Sequence, residues 1–293
     1  MTMLDTSTLP AVLGKDRLSN DAYHSERNFY SRSQVHRVFA MGGKSQSLAE
    51  RGISLFGGNR GTELGSLFDE AWDCLCEGRS IGEWLLTPPA SVLTANGHRR
   101  GKDYEAWKEQ IRAEGKREAN ADTVSQVNLM IEAVTEHRSA MELLQKTTDL
   151  QQSVFFRHKD GHKLKARFDG SVAGDLIYDV KTTSSTWSDL AKSFQKYGYF
   201  WQAAWYTDAA YEIGYPEFRM PFIVVQTVPP YECQVFTCPD EMVAAAREEI
   251  ANTLAVIEIR KETGEYLPED YGDIKELPCP AWMWKTEVYG GAV

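Results

Sequence analysis

The chain has 293 residues and a formal net charge of −10, with 42% hydrophobic and 25% charged residues, the balance of a globular protein rather than a disordered or fibrous one. No apolar run approaches the roughly 20 residues that a membrane helix needs. Met1 to Ser7 offers neither a basic nor an apolar leader region, so the expectation is a soluble cytoplasmic protein with no membrane partner.

Residues 1–20 are polar and aperiodic and read as a loose tail, leaving residues 21–293 as one domain. Ser31 followed by Gln34 is a capping-box start for a short helix. Gly57, Gly58 and Gly61 break the chain before a helix over 62–76, in which Leu64, Leu67, Phe68, Ala71, Trp72 and Leu75 recur at helical spacing. Pro88-Pro89 marks a loop, and helices are predicted over 102–115 and 121–146. A β-rich centre follows, with strands at 153–157 and 163–169 around the Asp160-Gly161 turn and a third at 176–181. Then come a long helix over about 188–213, strands at 222–228 and 232–236 around Pro229-Pro230, and a last helix over 240–262. Helices, a central mixed sheet and more helices suggest one α/β domain.

Charge is uneven along this order. From Asp240 onward 12 acidic residues outnumber 5 basic ones, whereas Arg157 to Arg167 holds five Lys or Arg against Asp160 alone. Phosphate binding follows the local patch, so the acidic total does not exclude nucleic acid.

The chemistry concentrates in Lys165-Ala-Arg-Phe-Asp169-Gly and Tyr178-Asp179-Val180-Lys181. Side chains two apart on a strand share a face, so Asp179 and Lys181 point the same way, and the turn at 170–174 can bring Asp169 alongside. Two carboxylates able to hold Mg²⁺, with an ammonium beside them, suit phosphodiester hydrolysis. A solvated surface hairpin is the plain alternative for so short a motif. Further on, Gln202 and Tyr206 share a helix face. Phe200, Trp201 and Trp205 read as core, but an amide in such an apolar run needs a hydrogen-bond partner if buried.

These features resemble the PD-(D/E)xK nuclease superfamily in its Asp-x-Lys form. More specifically, the chain is similar to the exonuclease VIII (RecE-type) family of phage and prophage recombination nucleases over roughly residues 21–285. The matching pieces run in family order: Ala22-Tyr-His-Ser and Tyr30-Ser-Arg-Ser-Gln, Gly65-Ser-Leu-Phe-Asp, Glu136-His-Arg-Ser-Ala, Asp169, Asp179-Val-Lys181, then Gln202 with Tyr206. The resemblance implies a restriction-endonuclease-like core, a central mixed β-sheet flanked by helices. It implies a Mg²⁺-dependent exodeoxyribonuclease, with Mn²⁺ a possible substitute, that degrades linear duplex DNA from 5′ ends and leaves 3′ single strands for recombination. Asp169, Asp179 and the Val180 carbonyl would hold the metal, Lys181 would position water, and Gln202 and Tyr206 would order the site. Where the family commonly has a histidine after the early glycine motif, this chain has Asp69. If Gly61-Thr-Glu-Leu is the true match instead, Gly65 replaces the histidine and no ligand remains there.

Arg99, Arg100, Lys102, Arg157, Lys159, Lys163, Lys165 and Arg167 are candidate phosphate contacts, each equally a solvated charge. The resemblance also implies a ring-shaped homo-oligomer and a single-strand annealing protein as partner. Five cysteines, Cys74, Cys76, Cys233, Cys238 and Cys279, argue against a disulfide framework, being an odd number in a cytosolic chain. They follow the early-and-late layout of iron–sulfur nucleases without its close triplet, so buried thiols are expected rather than an Fe-S cluster. Two other readings stay open: a non-catalytic DNA-binding accessory protein on a nuclease fold, and a structure-specific endonuclease or Fe-S repair nuclease.

Overall fold

Amphipathic helices and β-prone runs must cover one another's apolar faces, which favours a layered α/β arrangement. The computed structural model describes residues 12–16, 18–51 and 60–276. In chain order, β1 (Val12–Asp16), α1 (Asn20–Ser25), β2 (Tyr30–Ser31), α2 (Arg32–Met41) and α3 (Gly43–Glu50) precede α4 (Arg60–Cys76), α5 (Ile81–Trp84) and β3 (Leu85–Leu86). Next come α6 (Lys102–Ala113), β4 (Arg117–Glu118), α7 (Ala121–Glu136), α8 (Arg138–Lys146), β5 (Asp149–Arg157), β6 (Lys163–Val172) and β7 (Leu176–Thr183). The chain continues through α9 (Leu190–Lys196), α10 (Tyr199–Glu212), β8 (Pro221–Gln226), β9 (Cys233–Thr237) and α11 (Asp240–Thr263).

The main sheet is mixed and runs β1-β5-β6-β7-β8-β9, with β2 beside β6. Among its described strands only the β2–β6 and β7–β8 pairs are parallel. All six residues of β8 are buried, as a strand covered on both faces requires. Its side chains alternate between two cores. Phe222 and Val224 join Phe156, Phe168, Trp205 and Leu254, beneath α10 and α11. Ile223 and Val225 join Phe68, Trp72, Val127 and Tyr178, beneath α4 and α7. Removing each such phenylalanine or leucine side chain from water stabilises by about 1.5–3 kcal/mol.

Four expectations need correcting. Val12–Asp16, read as part of the loose tail, pairs antiparallel with β5, from Val12 opposite Phe156 to Asp16 opposite Ser153. The helix predicted over 121–146 breaks at His137, whose backbone is extended and whose Nδ1 accepts from the Ala140 N–H at 3.3 Å, capping α8. The helix predicted over 188–213 breaks at Gly198, which is left-handed at φ 68 and ψ 37. A Cβ there would lie 2.5 Å from the His36 Nε2, so position 198 is both conformationally and sterically reserved for glycine. Gly61, expected as a breaker, lies inside α4, while Gly57, Gly58 and Cys279 fall outside the described residues.

Candidate active site

β6 and β7 pair through Gly170↔Tyr178, Ser171↔Ile177 and Val172↔Leu176. One step further this register would set Asp169 opposite Asp179, but the ladder ends, and the Val180 N–H donates to Asp169 Oδ2 at 2.9 Å instead. From Asp179 onward β7 pairs with β8, Asp179 beside Phe222 and Lys181 beside Val224. The β6–β7 ladder thus stops at the level where β7 begins to pair with β8 on its other edge, the kind of crevice in which α/β sheets place their sites. Gly170 permits the close approach just before the split: a Cβ there would lie 2.1 Å from the Tyr178 ring and hydroxyl. Tyr178 is itself held by the Trp72 indole N–H at 3.1 Å and the Thr147 hydroxyl at 2.7 Å.

Asp179 is 1% exposed, and its two oxygens have different partners. Oδ2 takes the Lys181 ammonium and Oδ1 takes the Gln202 side-chain amide. Lys181 also reaches the Val180 carbonyl at 3.2 Å and lies 5.4 Å from the Tyr199 ring centroid. Gln202 Oε1 accepts from Arg32 Nη2 at 3.2 Å, while Arg32 Nη1 donates to the Tyr197 carbonyl at 3.0 Å. With its oxygen fixed by a guanidinium, the buried amide can only present its N–H₂ to the carboxylate. Tyr206, one turn along α10, packs edge-on against Phe168 with centroids 5.4 Å apart. Burial, reinforced by Asp179, pushes its hydroxyl up to about 12.

Asp69 approaches from α4. At Gly65, one turn earlier, a Cβ would come within 3.1 Å of Thr182 Oγ1, so this helix lies directly against β7 beside the split. Glu70 is turned away and pairs with Arg117 at 2.8 Å. Burial pushes Asp69 up to about 7, with Lys181 opposing and Asp179 adding to the rise. Burial, then Asp179, raises Asp169 well above the carboxylate range against the pull of Lys181. Burial works to lower Lys181, but Asp179 and Asp169 outweigh it and its pKa is raised, so the ammonium stays charged. One lysine does not balance three acids in this low-dielectric setting. Asp69, Asp169, Asp179 and the Val180 carbonyl are hard oxygen donors, and three acids gathered around one lysine fit a hard divalent cation. Among the described residues no three His, Cys, Asp or Glu side chains already converge on one point, so a cation bound there would have to draw the carboxylates together.

The basic candidates divide. Arg100, Lys102, Lys159 and Lys163 are exposed. Arg99 pairs with Glu118 at 3.1 Å, Arg157 donates to the Gly161 carbonyl at 2.9 Å, and Arg167 lies 5.9 Å from the Tyr23 ring centroid. Lys165 leaves the set of phosphate contacts. It is 2% exposed, and its ammonium donates to the Tyr23 and Glu26 carbonyls at 2.7 and 2.6 Å. Alternation puts Lys165 on a strand face, but nothing in it reveals that α1 covers that face. Sequence reasoning also misses Arg32, although it lies in the Tyr30–Gln34 stretch that carries the family resemblance. Its link to Gln202 spans most of the chain and has no local signal.

No curated protein sequence matches the chain. Among solved structures, a candidate exonuclease from Eubacterium rectale is similar with a TM-score of 0.59 at 14% identity, covering 93% of this chain and all of that one. An alkaline exonuclease from Laribacter hongkongensis reaches a TM-score of 0.31 at 18% identity, over 66% of this chain and 95% of that one. Its complex with dAMP gives 0.29 at 15% identity, over 56% and 87%. The first likeness bears on the fold alone, and it agrees with the mixed sheet flanked by helices. The family model described as a PDDEXK-like domain of unknown function (DUF3799) matches residues 78–274, more than half of the chain, and the protein belongs to that PDDEXK-like family.

Proposed function

We propose that the protein is a divalent-metal-dependent exodeoxyribonuclease of the exonuclease VIII type, degrading linear duplex DNA from its 5′ ends. The observation that carries this reading is the split between β6 and β7, where Asp169 and Asp179 meet with Lys181 bound to Asp179. Asp69, Asp169, Asp179 and the Val180 carbonyl are the groups that would hold the cation, Mg²⁺ by preference of hard oxygen donors, with Mn²⁺ able to replace it. When bound, such a cation polarises the phosphoryl oxygen and lowers the pKa of a coordinated water. Lys181 orients the attacking water and offsets charge developing on the phosphate. Gln202, held by Arg32, keeps the Asp179 carboxylate from rotating, and Tyr206 backs the same helix face. Arg100, Lys102, Lys159 and Lys163 are the exposed cations available to the DNA backbone.

The 5′ polarity, the 3′ strand left for recombination, the ring-shaped homo-oligomer and a single-strand annealing protein as partner rest on the sequence resemblance. Incubation with end-labelled linear and closed circular duplex, with and without Mg²⁺, tests the reading. Loss of 5′ label from linear DNA alone is the expected outcome. Nicked circles would replace it with an endonuclease, and binding without cleavage with an accessory protein. Light scattering with DNA and Ca²⁺ tests the ring, which a 33.1 kDa monomer would exclude.

A further inference from the structure

An exposed tyrosine on its own needs no explanation, but Tyr197 is built into the site. It is 51% exposed at the break between α9 and α10. Its N–H donates to the Ser193 carbonyl at 2.9 Å, and its carbonyl takes the Arg32 guanidinium that also fixes Gln202. The next residue, Gly198, is locked against His36. The backbone that aims this ring is thus tied to the side chain that holds Asp179.

Two groups lie near the ring. Lys196 Nζ lies 5.3 Å from its centroid, and the Tyr199 ring lies 5.9 Å away with the planes tilted by 35°. Tyr199 in turn lies 5.4 Å from Lys181 Nζ. Cation, ring, ring and cation follow one another from solvent to the carboxylates. Interleaved aromatic rings and lysines are how proteins hold single-stranded nucleic acid, the rings stacking on bases and the cations meeting phosphates. A base inside a duplex has both faces covered by its neighbours, so a side ring can stack only on a base that is terminal or unpaired.

We propose that Tyr197 is a stacking platform for the unpaired terminal base of the DNA strand whose phosphodiester lies at Asp169, Asp179 and Lys181. The platform rests on the nuclease reading above and adds that the site takes a strand end already separated from its complement. Its position is set before DNA arrives, which reduces the ordering needed on binding.

The test uses the full chain with Ca²⁺ in place of Mg²⁺ and a duplex carrying a two-nucleotide unpaired 5′ end with 2-aminopurine as its terminal base. Wild type and Tyr197→Phe should quench the fluorophore on binding. Tyr197→Ala should leave it unquenched and bind this end about tenfold more weakly, the effect of one lost base stack. If Tyr197→Ala melts early, Tyr197→Leu, which fills the space without a π face, carries the same comparison. A saturated wild-type complex with no quenching, or an alanine variant that binds as tightly as wild type, overturns the platform while leaving the nuclease reading standing. If wild type binds no DNA end at all, the nuclease reading fails and the platform with it.

Discussion

Toward its two ends β6 carries ionisable groups four residues apart, and the fold treats them oppositely. At one end the Lys165 ammonium is closed off by two carbonyls around the end of α1, and burial lowers its pKa. At the other, Asp169 faces Asp179 across a split strand pair, with Asp69 nearby and one lysine among them. A buried charge held by the chain's own backbone carbonyls ties segments together. Three acids gathered around one lysine have instead the make-up of a cation site.

The comparison is broken most directly at Asp179. On the proposed function Asp179→Asn removes a metal donor and the Lys181 counter-charge together, and nuclease activity should fall at least about a thousandfold, several kcal/mol of lost transition-state stabilisation. An initial-rate assay on linear duplex that retains more than a tenth of wild-type activity would take Asp179 out of the site.

Asp69 sharpens the boundary of the cluster. Asp69→Ala should be nearly inactive, whereas Asp69→His should keep measurable activity with a shift toward Mn²⁺, because imidazole is the softer ligand. Glu70→Ala should leave activity close to wild type and lose only its partly exposed pair with Arg117, worth about 0–1 kcal/mol. Metal titrations of the three variants would show whether α4 contributes a ligand at all.

Arg32→Ala frees the Gln202 amide to rotate, and kcat should drop about 10- to 100-fold, as for other groups that orient a metal ligand. Arg32→Lys, which keeps the charge but lacks the planar two-nitrogen fork that reaches Gln202 and the Tyr197 carbonyl, should recover part of it. An unchanged kcat with a raised KM would assign Arg32 to DNA binding instead.

Lys165→Met is the opposite case. It leaves two carbonyls without their donor, each lost partner costing about 1–3 kcal/mol, so the melting temperature should fall. Activity per folded molecule should hold. A stable but inactive variant would mean that the α1 end also belongs to the site.

The smallest effect is on pH. Folding raises the Asp69 carboxyl from 3.8 to about 7, so the native state holds a proton that the unfolded chain has lost between those values. This contribution to stability is present below about pH 4 and lost as pH rises through about 7. The metal-free protein should therefore lose stability across that window, and Asp69→Asn should flatten the loss. A divalent cation should raise the melting temperature more at pH 8 than at pH 5. Equal metal-induced shifts at the two pH values would contradict the placement of Asp69.

Much of this protein is legible locally. β-prone runs bounded by turns mark β5 to β9, a helical stripe marks α4, and the Asp179-Val-Lys181 spacing places carboxylate and ammonium on one strand face. The buried Gln202 amide signals its need for a partner before the partner is known. Those features arise between neighbours in the chain, so the sequence alone determined them. What it did not contain is which distant groups meet. The helix break at Gly198 depends on His36, the fate of Lys165 depends on α1, and the orientation of Gln202 depends on Arg32. Where the β6–β7 ladder ends and the β7–β8 ladder begins is likewise set by the strands that lie on either side of β7. Only the tertiary structure decided these, because a side chain's burial and hydrogen-bond partners are set by whatever packs across from it, and periodicity carries no record of that.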